Sequence, residues 1–208
     1  MMTALPDAAL TEADHNAAID AYFKRSCDAL GRAAADASLR AAIGRIGDAI
    51  AQCFRAGGKL MLAGNGGSAA DAQHIAAEFL SRYTLDRNPL PALALTTDTS
   101  VLTAVGNDYG FDRVFERQVR GLGRQGDVFA AISTSGQSPN ILAALKAARE
   151  LGVTTVGFTG SRTAPMTALC DHALVAPSEE TPIIQQIHLV AAHAICGLVE
   201  QQLFGARK

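Results

Sequence analysis

The chain lacks the signatures of several common classes, and each absence narrows what it can be. Its four cysteines, Cys27, Cys53, Cys170 and Cys196, are scattered without a CxxC pair. A disulfide framework is therefore not expected, and a reduced, cytoplasmic protein is. There is no basic excess: 18 Lys and Arg stand against 20 Asp and Glu, for a formal net charge of −2 and a pI near 6.2. A bulk electrostatic grip on nucleic acid is not expected from that balance. The first residues show no basic region followed by a continuous apolar core. No uncharged apolar run approaches the roughly 18 residues that span a bilayer, so no transmembrane helix and no membrane partner are predicted. What the chain has in quantity is apolar residues, 49% of 208. That suffices for one full domain, or one domain with a helical extension.

Residues 58–82, GKLMLAGNGGSAADAQHIAAEFLSR, organise the rest. Residues 59–63 are a short apolar run, Gly64-Asn65-Gly66-Gly67-Ser68 is a small-residue turn, and residues 69–80 are Ala-rich with helical periodicity: strand, loop, helix. A loop with few Cβ atoms lets backbone N–H groups approach an anion, and the helix start adds the positive end of its dipole. A phosphate is the natural guest. The loop is neither a Walker A sequence nor GxGxxG, and on its own it is equally compatible with a structural turn. His74 and Glu78 stand at i and i+4, one turn apart on one helix face, where they can hold one metal ion or act on one substrate. A plain exposed or hydrogen-bonded pair has the same spacing.

Before this unit, residues 1–10 read as a frayed start, and Thr11-Glu12-Ala13-Asp14 resembles a capping box with Asp in place of Glu. Ile19, Tyr22, Phe23, Cys27 and Leu30, then Leu39, Ile43, Ile46, Ile50, Cys53 and Phe54, recur at helical spacing on either side of a break between Gly31 and Ser38. Two amphipathic helices precede the first strand. Residues 1–57 are thus expected to pack in an oligomer, with residues 58–208 forming the α/β domain, unless the helices cover their own domain instead.

After it, residues 91–95 form a second short strand, and Asp98 or Thr99 can cap the next helix. Gly106-Asn107-Asp108-Tyr109-Gly110 reads as a turn, whose Asn107 and Asp108 suit either hydroxyl binding or their own backbone. Residues 111–122 read as a helix. Residues 126–132 are a buried strand that runs into Ser133-Thr134-Ser135-Gly136-Gln137-Ser138. Four hydroxyls between a strand and a helix make a second anion pocket, suited to a phosphate monoester. It holds no lysine, which favours a small sugar phosphate over a nucleoside triphosphate with magnesium. Residues 153–158 and 172–175 are further strands. The alternation predicts a three-layer α/β fold, flavodoxin-like, with a parallel sheet of about five strands. The final helix, from Thr181-Pro182 to about Leu203, carries Gln185, His188 and His193. Relative to Gln185 the two histidines lie on opposite sides, about 80° and about 60° around the axis, and the pattern does not choose between them.

These pieces together resemble the sugar isomerase (SIS) fold family and, within it, the phosphoheptose isomerases. The resemblance rests on Gly64-Asn65-Gly66-Gly67-Ser68, Asp71-Ala72-Gln73-His74 with Glu78 and Arg82-Tyr83, Val105-Gly106-Asn107-Asp108, Gly126-Asp127-Val128, Ile132-Ser133-Thr134-Ser135-Gly136, and Ile184-Gln185-Gln186-Ile187-His188. It implies a homotetramer that converts sedoheptulose 7-phosphate to D-glycero-D-manno-heptose 7-phosphate, with one zinc ion per subunit on His74, Glu78, Gln185 and His193. It implies Glu78 and His193 as the acid–base pair and phosphate at Ser133, Thr134, Ser135 and Ser138. Asn65, Gly66, Gly67, Ser68, Glu78, Arg82, Asn107, Asp108 and Gln185 would contact the substrate as well. Some members of the family have Asp-Arg before the glutamine, where this chain has Pro182-Ile183. A non-catalytic relative that partners the replication initiator lacks the glutamate and the terminal histidine; both are present here.

Overall fold

The computed structural model describes residues 10–161 and 165–205. The start read as frayed lies outside them, apart from Leu10. Helix α1 spans Glu12–Ala35, and its capping box forms: Asp14 N donates to Thr11 Oγ1 (3.2 Å) and Thr11 N to Asp14 Oδ2 (3.0 Å). Asp36 ends it and starts α2 (Ala37–Arg55) by accepting from the N–H groups of Ser38 and Leu39. α2 buries Leu39, Ile46, Ile50 and Phe54 beneath the sheet of its own chain, whereas α1 buries only Ser26, Ala29 and Ala33.

Five parallel strands follow: β1 (Leu60–Gly64), β2 (Ala92–Ala94), β3 (Val128–Ile132), β4 (Thr154–Thr159) and β5 (His172–Val175), in the order β2-β1-β3-β4-β5. Leu60 lies opposite both Ala92 and Val128, and Val128 opposite Thr154, so the strands start nearly level. At that lower edge the buried Asp127 accepts from Lys59 N (2.9 Å), Arg124 N (2.8 Å) and Lys59 Nζ (2.6 Å), tying the starts of β1 and β3 together. The alternation of strand side chains sorts the core into two halves. Leu60, Leu62, Val128, Ala130, Ile132, Val156 and Phe158 face α2, α3 (Gly67–Leu80) and α7 (Thr181–Phe204). Met61, Ala63, Phe129 and Ala131 face α4 (Thr99–Tyr109), α5 (Val114–Leu122) and α6 (Pro139–Glu150). The expected three-layer α/β fold is the one observed.

Two expectations change. Residues 106–110 are not a turn: α4 continues to Tyr109, and Gly110 ends it at φ +90°. Val105 is buried at helical spacing and only Gly110 takes the left-handed position, so the turn-like composition of Asn107 and Asp108 was overridden. The second concerns α7, which is 24 residues long and contains an 18-residue stretch with a mean hydropathy of 1.5, long and apolar enough to cross a bilayer. Two glutamines and two histidines interrupt its apolar pattern. Half of that stretch is buried inside the fold, where Ile183, Ile184, Ile187, Ile195 and Val199 join the α2 and α3 side of the core. α7 is the central helix of that layer.

His188 shows how deep α7 sits. It is 1% exposed, its Nε2 lies 3.1 Å from the Thr159 carbonyl, and its ring meets Phe158 edge-on at 5.7 Å. Burial pushes its pKa down to about 4, against which the Thr159 contact works only in part. The unfolded chain therefore takes up a proton near pH 6.5 that the folded chain refuses until about pH 4, so this contribution to stability is intact above pH 6.5 and drains away as pH falls. Denaturation midpoints at pH 7 and 4.5 should show about 2 to 3 kcal/mol less pH-dependent loss in His188→Leu than in wild type; equal losses would rule the effect out.

Candidate active site

The strand order reverses between β1 and β3: the chain leaves β1 into α3 on one face of the sheet and leaves β3 into α6 on the other. In open α/β sheets that switch point, beyond the carboxyl ends of the strands, is where ligands bind. Both phosphate-suited loops end there. After β1, Gly64 allows the chain to fold back on itself, since a Cβ would stand 2.4 Å from the Ser68 carbonyl oxygen. Gly66 takes φ +56° as the residue before α3 and offers no side-chain cap. After β3, Ser133 Oγ lies 3.0 Å from Ser138 Oγ and 3.4 Å from Ser135 Oγ, and Ser138 precedes α6, again without a side-chain cap. The N-termini of two helices thus point at one crevice, and the positive ends of their dipoles attract an anion. Asn140 joins the loops: its carboxamide exchanges hydrogen bonds with Asn65, 2.8 Å one way and 3.0 Å the other.

α3 and α7 follow β1 and β5 on the same face and run side by side in the same direction. Gln185 lies against Gly67, His193 against His74, and Glu200 against the bend after α3. The middle rung holds the chemistry. His74 Nε2 and His193 Nε2 are 2.9 Å apart, His74 Nε2 and Glu78 Oε1 3.3 Å, and one ligand atom from each of the three residues falls within 4.8 Å of the others. Two facing imidazole nitrogens share at most one hydrogen, so at least one lone pair points into the shared space. Two imidazoles and a carboxylate are the donor set of a catalytic zinc site that keeps a position open, and the group fits a divalent metal. Gln185 stands one rung nearer the glycine loop, its amide so close to Gly67 that a Cβ there would be 2.4 Å from Nε2.

The choice between the two histidines of α7 is resolved: His193 meets His74, and His188 is a core residue. Asn107 and Asp108, both exposed, bond to each other (2.8 Å) at the end of α4. Among the described residues neither bonds to the two loops. Arg82 is exposed just past α3. Three side chains escaped the sequence reading. Asn140 looks like an ordinary first-turn residue. Tyr83 stacks on His193, with ring centroids 5.7 Å apart and planes 16° from parallel; only its place beside Arg82 drew notice. Asp71, one turn before His74, has a buried Oδ2 with no partner among the described residues, and burial raises its carboxyl pKa while His74 opposes the rise.

Residues 21–160 match the SIS domain family. A phosphoheptose isomerase of Bradyrhizobium sp. (strain BTAi1) is 60% identical over 185 residues, 89% of this chain and 93% of that protein. One from Burkholderia pseudomallei is 58% identical over 171 residues, 82% and 87% of the two. Among solved structures, phosphoheptose isomerase GmhA from Neisseria gonorrhoeae superposes with a TM-score of 0.84 at 42% identity, covering 89% of this chain and 98% of its own.

The two crowded glycines should respond differently to alanine. At Gly64 the new methyl meets backbone, which cannot yield cheaply, whereas at Gly67 it meets the free end of a glutamine. Gly64→Ala should lower the denaturation free energy by at least about 2 kcal/mol, and Gly67→Ala by less than about 1 kcal/mol while displacing Gln185. Equal losses would show that Gln185 is held as rigidly as the loop.

Proposed function

Because the chain belongs to the phosphoheptose isomerases of the SIS-domain family, we propose that it converts sedoheptulose 7-phosphate to D-glycero-D-manno-heptose 7-phosphate, opening bacterial ADP- or GDP-heptose biosynthesis. The observation that carries the proposal is the meeting of His74, Glu78 and His193 on and against α3, the helix whose uncapped start faces the crevice. Ser133, Thr134, Ser135 and Ser138 hold the phosphate with their hydroxyls at the N-terminal end of α6. Without a lysine, the charge is met by helix dipoles and hydroxyls. Asn65, Gly66, Gly67, Ser68, Arg82 and Gln185 receive the sugar. Asn107 and Asp108 are assigned to its hydroxyls on the resemblance alone.

Isomerisation moves one hydrogen between neighbouring carbons. Glu78 takes the proton from the carbon beside the carbonyl, the released electron pair forms the enediol double bond, and Glu78 returns the proton to the adjacent carbon. His193, whose neutral ring has one N–H and one lone pair, carries the compensating proton between the two oxygens. His74, Glu78, Gln185 and His193 would hold one zinc ion per subunit, which when bound supplies Lewis-acid polarisation of the carbonyl. A lone pair given to a metal is not free for a proton: a carboxylate has two oxygens, so Glu78 can serve both needs, whereas His193 would carry a proton only while its lone pair is off the metal.

The enzyme is further proposed to be a cytoplasmic homotetramer. Phe23 (64% exposed) and Ile19 (52%) on α1 and Val190 (56%) on α7 point outward, and a second copy would cover such a surface.

With sedoheptulose 7-phosphate in deuterated water, NMR should show deuterium entering the carbon beside the carbonyl and aldose appearing. Glu78→Gln and His193→Ala should each cut both signals by at least about 100-fold without changing the oligomer. Retained turnover in both would refute their roles, and a folded, zinc-supplied wild type that gives neither signal would replace this proposal with a binding role. Ser133→Ala combined with Thr134→Ala should raise KM at least about tenfold with a smaller effect on kcat. An unchanged KM would take the phosphate off that loop.

A further inference from the structure

Beyond Leu80 the chain makes a tight bend that the proposed reaction does not use, and one carboxylate holds it. Glu200 of α7, 1% exposed, accepts five hydrogen bonds. Its Oε1 takes them from Tyr83 N (3.0 Å) and Arg87 Nε (3.1 Å), and its Oε2 from Thr84 N (2.9 Å), Thr84 Oγ1 (2.8 Å) and Leu85 N (3.0 Å). Burial alone would raise the pKa of this carboxyl, but the bonds from Thr84, Tyr83 and Leu85 outweigh it and hold it at about 2. The Arg87 side chain, 2% exposed, turns its remaining nitrogens onto the carbonyls that end α3: Nη2 to Glu78 O (2.9 Å) and Nη1 to Phe79 O (2.6 Å). Tyr83, fixed by its own N–H, lays its ring on His193. The ring also passes beside Gly197 of α7, where a Cβ would stand in ordinary contact, 3.4 Å from Tyr83 Cε1.

The ion pair here is costly for stability alone, since fully burying one commonly gains nothing over well-packed apolar side chains. Its contacts converge on two groups: the backbone of Tyr83, whose ring lies against His193, and the backbone of Glu78. We propose that Glu200 and Arg87 are positioning residues that seat Tyr83 against His193 and fix the end of α3 at Glu78, so that imidazole and carboxylate meet in one geometry. This rests on the acid–base reading of His193 and Glu78. Arg87 also satisfies the Glu78 carbonyl at the helix end and shares the Phe79 carbonyl with Leu90 N, which couples the fold of the bend to the aim of the site.

The test compares full-length wild type, Tyr83→Leu, Tyr83→Phe and Glu200→Gln. Its readouts are kcat and KM for sedoheptulose 7-phosphate and, separately, the zinc affinity of metal-stripped protein by calorimetry. Tyr83→Leu, which removes the ring but leaves the buried ion pair, should lose about 10- to 100-fold in both kcat and zinc affinity with KM within about threefold, the range typical of lost outer support. Tyr83→Phe, which keeps the stack, should restore most of both. Glu200→Gln should repeat the Tyr83→Leu split; if it does not fold, the two Tyr83 variants decide. A Tyr83→Leu protein with wild-type kcat and zinc affinity, or one whose KM worsens in step with kcat, overturns the inference. A wild type that binds zinc but does not turn over refutes the isomerase reading instead, and the zinc affinities of the Tyr83 variants still decide the positioning role.

Discussion

The close parallel packing of α3 against α7 is the constraint on which the rest of this structure depends. Two helices with ordinary side chains at the contact lie 8–10 Å apart, and here a glycine makes room for a specific partner. Gly67 on α3 admits the Gln185 amide, and further along the Tyr83 ring stacks on His193 of α7. Between Gly67 and that ring His74, Glu78 and His193 come together. The helices can run in parallel only because β1 and β5 belong to one parallel sheet and both crossovers return on the same face. A site assembled from residues 119 positions apart in sequence is thus fixed by sheet topology first and by side chains second.

The crevice above the sheet meets charge in a different way from the core below it. The two loops themselves carry no lysine or arginine; hydroxyls and helix starts stand at the crevice, and these cost little to leave in water when no ligand is bound. The reciprocal Asn65 and Asn140 carboxamides hold the loops at a set spacing without adding charge. Charges are buried instead where they organise backbone. Asp127 gathers the starts of β1 and β3, and Glu200 with Arg87 gathers the end of α3. In both cases a buried carboxylate accepts backbone N–H groups as well as a cation, which is what makes its burial tolerable.

Legibility in the sequence followed the range of the interactions involved. Strands, loops and helix faces were readable because apolar periodicity and glycine placement are local properties. His74 and Glu78 were readable as a pair because four residues of one helix bring them together whatever the rest of the chain does. The second histidine was not: helical periodicity left His188 and His193 equivalent, and only packing against Thr159 and Phe158 sends one into the core. Asn107 and Asp108 were misread locally, since their turn-like composition yielded to the burial of Val105 and to Gly110 as the stop. Tyr83, Asn140 and Glu200 gave almost no signal, because each acts through a partner more than 50 residues away.

The sequence by itself therefore determined the fold class, the two anion-suited loops and the helix that carries two of the three residues in the His74, Glu78 and His193 group, since each depends on spacing within one element. Which histidine completes the group was left open by periodicity, named as His193 by the resemblance, and met by the packing; the tertiary structure alone decided how the two loops are pinned to each other and what holds the end of α3. Those outcomes depend on which faces of distant helices are brought into contact, and burial and sheet order, not the local pattern, set that.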